Sequence, residues 1–317
     1  MSAPDFAYLV HPRSRLPTWL ATMLPPRSIG TCSFGPGRPS GVLVDCRLAP
    51  DQFVAEPALA GRRVQEALAI AGKGGIPLAG LGEPGSFWSD LRPLVARPLR
   101  VVRGERLRLT VLPTLVAVHC RHAGQPRVWV SGADRPFGRR LAVVAGRIAR
   151  DIWLDGADRR RLEETQRAVL RETGLAAHVG PPPVPVEVLL LASPAAIFEC
   201  PSALLVPGTL VVDFVRPRGL PVGAAVGAGW VTIDDALFAP PPGSQLPRGL
   251  FSQGLPAGLV ETCLVAAAAG RGRLAVLAGG RGSASEVALE PLDLARRLRR
   301  EGFVLAGGAF RGHRIEP

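Results

Sequence analysis

The segment from Arg127 to Arg150, RVWVSGADRPFGRRLAVVAGRIAR, constrains the fold more than any other stretch. Val128, Trp129 and Val130 form a short apolar run suited to a strand covered on both faces, and it stops at Ser131-Gly132. From Phe137 onward, Phe137, Leu141, Val144 and Ile148 recur at helical spacing. Strand, glycine-bearing turn and helix in that order is the layout of a dinucleotide-binding βα unit, in which N–H groups at the helix start meet a pyrophosphate. Gly132 and Gly138 fit the outer places of a G-x-x-G-x-x-G spacing, with Ala133 beside the first and Arg135 in the middle place. An arginine there either crowds the phosphates or pairs with their oxygens.

The rest of the chain alternates in the same way. Phe6 to Val10 and Val42 to Val44 read as strands, Pro25 to Gly41 as a loop rich in Gly, Pro and Ser, and Ala55 to Ala71 as a helix stopped by glycines. Alternation in Leu107 to Val111 predicts a further strand, and Thr114 to Ala123 a short linking helix. After the opening unit, strands are expected at Asp151 to Asp155, Ala176 to Val179, Val186 to Leu191, Leu210 to Asp213 and Trp230 to Ile233, with a helix over Asp158 to Thr173. Helices at Gly258 to Gly270 and Pro291 to Glu301 follow, with no further strand pattern.

This rhythm implies an α/β protein: an N-terminal α/β substrate domain over 1–113, a Rossmann-like, mostly parallel sheet domain over 114–250, and a C-terminal helical cap over 251–317. Its apolar fraction of 47%, without an apolar run near twenty residues, argues against a membrane span. Met1 to Leu9 lacks the basic start and apolar core of a signal peptide, and the five cysteines contain no C-x-x-C, so a cytoplasmic location is expected. The histidines show no metal-ligand spacing, and no metal site is expected. A net charge of +12 raises the question of nucleic acid, but the arginines are dispersed and aromatic residues make up only 5%.

Asp155 ends the second strand of the Rossmann-like domain, roughly twenty residues after the turn, where a ribose-binding acid belongs. Arg159 and Arg160 follow it and suit a 2′-phosphate, or equally a solvated helix face, so NAD and NADP both stay open. Ser193 and Asp213 end later strands on the edge where open sheets bind ligands, and Arg218 lies beyond the latter.

Several stretches, in order along the chain, resemble the long-chain acyl-carrier-protein reductases, which form fatty aldehydes: FAYLVHPRS at the start, GVLVDCRLAPDQF from Gly41, GIPLAGLGEP from Gly75, DFVRPRGL from Asp213, the helix around Glu261, and Arg300-Glu301-Gly302-Phe303. The resemblance implies an acyl thioester or acyl carrier protein as partner, acyl transfer to a cysteine, and hydride delivery from NADPH. In that family the reactive cysteine lies three residues before a helical glutamate. If Glu261 is that glutamate, the corresponding position is Gly258, which leaves Glu261 and the nearby Cys263 as the candidate catalytic residues. A non-catalytic descendant that keeps the fold for partner binding or regulation is the alternative.

Overall fold

The computed structural model describes residues 4–10, 23–48, 57–82, 100–120, 124–193, 202–214, 229–277, 285–286, 291–310 and 313–315. They form two compact units: residues 1–107 with 237–306, and residues 108–236 with 307–317. The chain therefore passes between the units at three points, and residues beyond 250 return to both. The boundary expected at Pro113 falls inside a helix, Glu105–His119.

The first unit is built on β1 (Phe6–Val10), β2 (Arg27–Ser33), β3 (Ser40–Asp45), β4 (Leu78–Leu81), β5 (Arg100–Val102) and the short β14 (Ser285–Glu286). Their order is β14-β5-β4-β1-β3-β2, parallel except for the antiparallel edge strand β2. All five residues of β1 are buried, as a central strand covered on both faces requires. Helix α1 (Pro57–Lys73) packs Leu59, Ala60, Val64 and Leu68 against Leu9, Val44, Ala79 and Leu81. On the alternate residues of the same strands, Tyr8 and Gly80 meet helix α5 (Ala257–Leu277). There the approach is backbone-close: a Cβ on Gly80 would meet the Thr262 hydroxyl, and one on Gly104 would stand 2.6 Å from the Gly258 Cα.

Two sequence expectations change. Arg27 to Ser33, read as loop, is the edge strand β2. Leu107 to Val111, read as a strand, belongs to helix α2 (Glu105–His119), in which the buried Leu107, Val111, Leu112, Leu115 and Val116 follow helical spacing, with Arg108 and Leu109 buried beside them.

The second unit holds β6 (Arg127–Ser131), β7 (Asp151–Asp155), β8 (His178–Val179), β9 (Val186–Leu191), β10 (Leu205–Asp213) and β11 (Val231–Ile233). All pairings are parallel, in the order β11-β10-β9-β6-β7-β8. Helix α3 (Pro136–Gly146) joins β6 to β7, and α4 (Arg159–Thr173) joins β7 to β8. One face carries an in-register row, Trp153, Trp129, Leu189 and Val211. Antiparallel pairs complete the described strands: β12 (Asp235–Ala239) with β13 (Leu255–Pro256), and β15 (Val304–Phe310) with β16 (His313–Ile315). The residues after 250 thus hold strands as well as α5 and α6 (Pro291–Glu301).

A charge pair fastens the amino ends of β6 and β9. Glu187 accepts from the Arg127 backbone N–H (2.7 Å) and from its guanidinium (2.7 Å), with Arg150 at 3.2 Å. Burial pushes the Glu187 carboxyl up, but these donors outweigh it and hold it below its ordinary 4.5. Because the folded-state value is the lower one, the stabilisation is present above pH 4.5 and lost as pH falls through the folded value. Acid titration of stability should therefore be shallower in Glu187→Gln than in the parent, as urea melts across pH would show.

Candidate functional site

In chain order the second sheet reads 6-5-4-1-2-3, the strand order of the Rossmann fold, with its direction reversing between β6 and β9. Open α/β sheets bind ligands outside the carboxyl ends of the strands at such a reversal. The residues found there are those at the ends of β6, β7, β9 and β10.

Gly132 follows β6 at φ +79°, a left-handed conformation that disfavours any side chain. Space excludes one as well: a Cβ would lie 2.6 Å from the Ser193 Cβ and 2.7 Å from its N. The turn is held on the other side by β7, since the Gly132 and Ala133 N–H groups both donate to the Asp155 carbonyl, at 2.8 and 2.9 Å. Gly138, one turn into α3, sits so close that a Cβ there would strike the Gly132 carbonyl oxygen. These are two demands a phosphate turn makes of its glycines: a tight bend and close helix packing.

Arg135, in the middle place of the glycine spacing, is exposed and extended (φ −88°, ψ 153°). That conformation needs no glycine, so the substitution leaves the turn intact. Arg135 opens α3 with no side-chain cap bond, Pro136 follows, and the first turn carries no acid, which leaves the helix start electropositive.

Asp134, which the sequence reading passed over, fixes the turn from within. Its buried carboxylate accepts from the Asp158 N–H (3.3 Å) and lies so close to Gly156 that a Cβ there would collide with it. Thr165 adds a buried hydroxyl donor to the Ala133 carbonyl at 2.9 Å. The only sequence signal was a glycine after each of the two strand ends, Ser131-Gly132 and Asp155-Gly156.

Asp155 is half-buried at the end of β7, and its carboxylate accepts from the Gly156 N–H at 2.9 Å. Arg159 is exposed and spends its guanidinium on Glu163 (3.0 Å), one of two i,i+4 pairs along α4. With Gln166 and His178 it lines an open groove at the β8 edge rather than at the reversal. Ser193 is half-buried against Gly132, and Asp213 is buried at the end of β10, in register with Leu191 of β9. Arg218 lies outside the described residues. Among the described residues there is no cluster of three His, Cys, Asp or Glu that could hold a metal, and no helix long and apolar enough to cross a membrane.

The candidates in α5 belong to the first unit and have other occupations. Glu261 is buried, and its carboxylate accepts from the Leu107 N–H at 2.8 Å, satisfying a donor in the first turn of α2. Glu261→Ala should cost about 1–3 kcal/mol and Glu261→Gln less, since the amide keeps an acceptor; urea melts of both variants check this. Cys263 is buried, and burial pushes its thiol up, away from the reactive thiolate. A Cβ on Gly258 would stand 3.0 Å from both the Leu81 carbonyl oxygen and the Tyr8 hydroxyl, so this position packs a helix against a sheet.

No protein-family model matches the chain, and no curated protein does. Among solved structures it is similar to quinate dehydrogenase from Corynebacterium glutamicum in complex with NAD, at 12% identity over 94% of this chain and 99% of that one, TM-score 0.38. A shikimate dehydrogenase in complex with NADP+ matches at 10% identity over 94% and 96%, TM-score 0.34. An alcohol dehydrogenase from Thermus sp. ATN1 matches at 18% over 63% and 56%, TM-score 0.30. The resemblance to acyl-carrier-protein reductases is overturned. The solved structures it resembles are dehydrogenases of other kinds, and the positions where that resemblance put a thiol and its acid serve packing and helix capping.

Proposed function

We propose that the second unit binds a nicotinamide dinucleotide, NAD or NADP, and that the chain is an oxidoreductase of the dehydrogenase type. The observation that carries this reading is Gly132, left-handed and without room for a Cβ against Ser193, at the one place where a 3-2-1-4-5-6 sheet reverses direction. Gly132, Ala133, Arg135 and Gly138 form the phosphate turn, and the exposed Arg135 is available for a phosphate oxygen. Asp155 suits a ribose hydroxyl, while Ser193 and Asp213 stand further along the same edge. The bound nicotinamide would supply the hydride chemistry. The four described cysteines are all free thiols, which suits a reducing cytoplasm.

Titration with NADH and with NADPH, followed by nucleotide fluorescence, tests this. Saturable binding of at least one is expected, and comparison of the two decides the preference. Absence of binding by either at millimolar concentration would sink the reading.

A further inference from the structure

Among the described residues, every position with positive φ is a glycine except one, Arg47 at φ +60°. A side chain in that conformation costs about 1–2 kcal/mol, and a chain with 37 glycines places an arginine there instead. Arg47 follows β3 at the carboxyl edge of the first sheet. The adjoining strand β1 is where that sheet reverses, since β3 lies on one side of it and β4 on the other. Cys46 ties this corner to the end of β1 by donating to the Val10 carbonyl at 3.1 Å.

Asp45 holds the arginine. Its buried carboxylate accepts from the Arg47 backbone N–H at 2.7 Å, which explains how the backbone is kept left-handed, and its other oxygen lies 3.4 Å from Nε. That oxygen is poorly aligned, and the buried Nε–H is not hydrogen-bonded to it. Neither contact uses the terminal Nη groups, the edge with which a guanidinium grips an oxyanion in bidentate fashion. The Arg47 side chain keeps 14% of its surface open. Arg27, directly opposite Asp45 in the β2–β3 ladder, brings a second cation to the same carboxylate.

We propose that Arg47, aimed by Asp45 and assisted by Arg27, is an oxyanion-binding site at the carboxyl edge of the first sheet, taking the carboxylate or phosphate group of a small ligand. An Asx turn alone accounts for the bend but favours glycine in the strained place. The arginine is explained by what its guanidinium does.

The experiment compares the full-length protein with Arg47→Gly, Arg47→Lys and Arg296→Ala, titrated calorimetrically with inorganic phosphate and with acetate at matched chloride ionic strength. Glycine relieves the left-handed strain, so Arg47→Gly should melt at the parent temperature or above while binding the anion about tenfold more weakly or worse. Arg47→Lys should fall between, and Arg296→Ala, which removes one exposed positive charge from α6, should bind as the parent does. Phosphate-selective or acetate-selective binding, each lost in Arg47→Gly, assigns the ligand class. Unchanged anion affinity in Arg47→Gly, or no anion binding by the parent at tens of millimolar, overturns the site; if Arg47→Gly fails to fold, the same criterion falls on Arg47→Lys. NADH titration of the same samples should not distinguish the variants, so failure of the dinucleotide reading shows separately.

Discussion

Gly132→Ala is expected to destabilise the second unit by about 2–5 kcal/mol, adding left-handed strain to a steric overlap with Ser193. The neighbours of the absent Cβ are Ser193 and Ala192, just past the end of β9, and two of the three close atoms are main chain, so they cannot yield cheaply. Dinucleotide binding should disappear with it. By contrast, Arg135→Gly should leave stability within about 0.5 kcal/mol, because Arg135 is exposed and its extended backbone gains nothing from glycine. Urea unfolding followed by tryptophan emission is weighted to this unit, since three of the chain's five tryptophans, Trp129, Trp153 and Trp230, lie in it. Equal stability of Gly132→Ala and the parent would mean that the turn is not seated against β9.

The contrast between these two positions shows what the sequence could and could not convey. Glycine spacing marked Arg135 as the defect, because a pattern counts residues and is blind to φ. The backbone places the strain elsewhere, at Gly132, and the acid that fixes the turn, Asp134, reaches a loop more than twenty residues away. Such a contact has no local signature. The central strands of the second sheet, β6, β7 and β9, were legible because each holds an apolar run bounded by turn residues and buried on both faces. Strand β2 was not: RSIGTCS is an edge strand with mostly exposed or half-exposed residues and an irregular register at Ser28 to Gly30, so its composition is that of a loop.

Helix α2 was misread for a related reason. Pro113 suggested an end, yet it lies inside the helix, where it removes one N–H donor without breaking the buried stripe from Leu107 to Val116. Part of what sustains the helix start comes from Glu261, distant in sequence. The same residue had been read as catalytic, since a glutamate in an apolar helix looks alike whether it serves a substrate or a backbone amide. Only the partner distinguishes the two.

The tight seat of α5 yields the other large effect. Gly104→Ala is expected to cost about 3–5 kcal/mol, because at φ +77° its Cβ would press on the Gly258 backbone, 2.6 Å from Cα and 2.8 Å from N, and no rotamer change can relieve a clash with main chain. Gly258→Cys should cost less, about 1–3 kcal/mol, since its Cβ meets the Leu81 carbonyl oxygen and the Tyr8 hydroxyl at 3.0 Å and small shifts could accommodate it. The thiol so introduced would lie against buried groups beside Tyr8, an environment that disfavours the thiolate. Urea melts together with the rate of reaction toward a disulfide reagent measure both effects. A stable Gly258→Cys whose new thiol reacts at the rate of a free cysteine would show that α5 leaves an open nucleophile position there; a destabilised, unreactive variant is the outcome this packing requires.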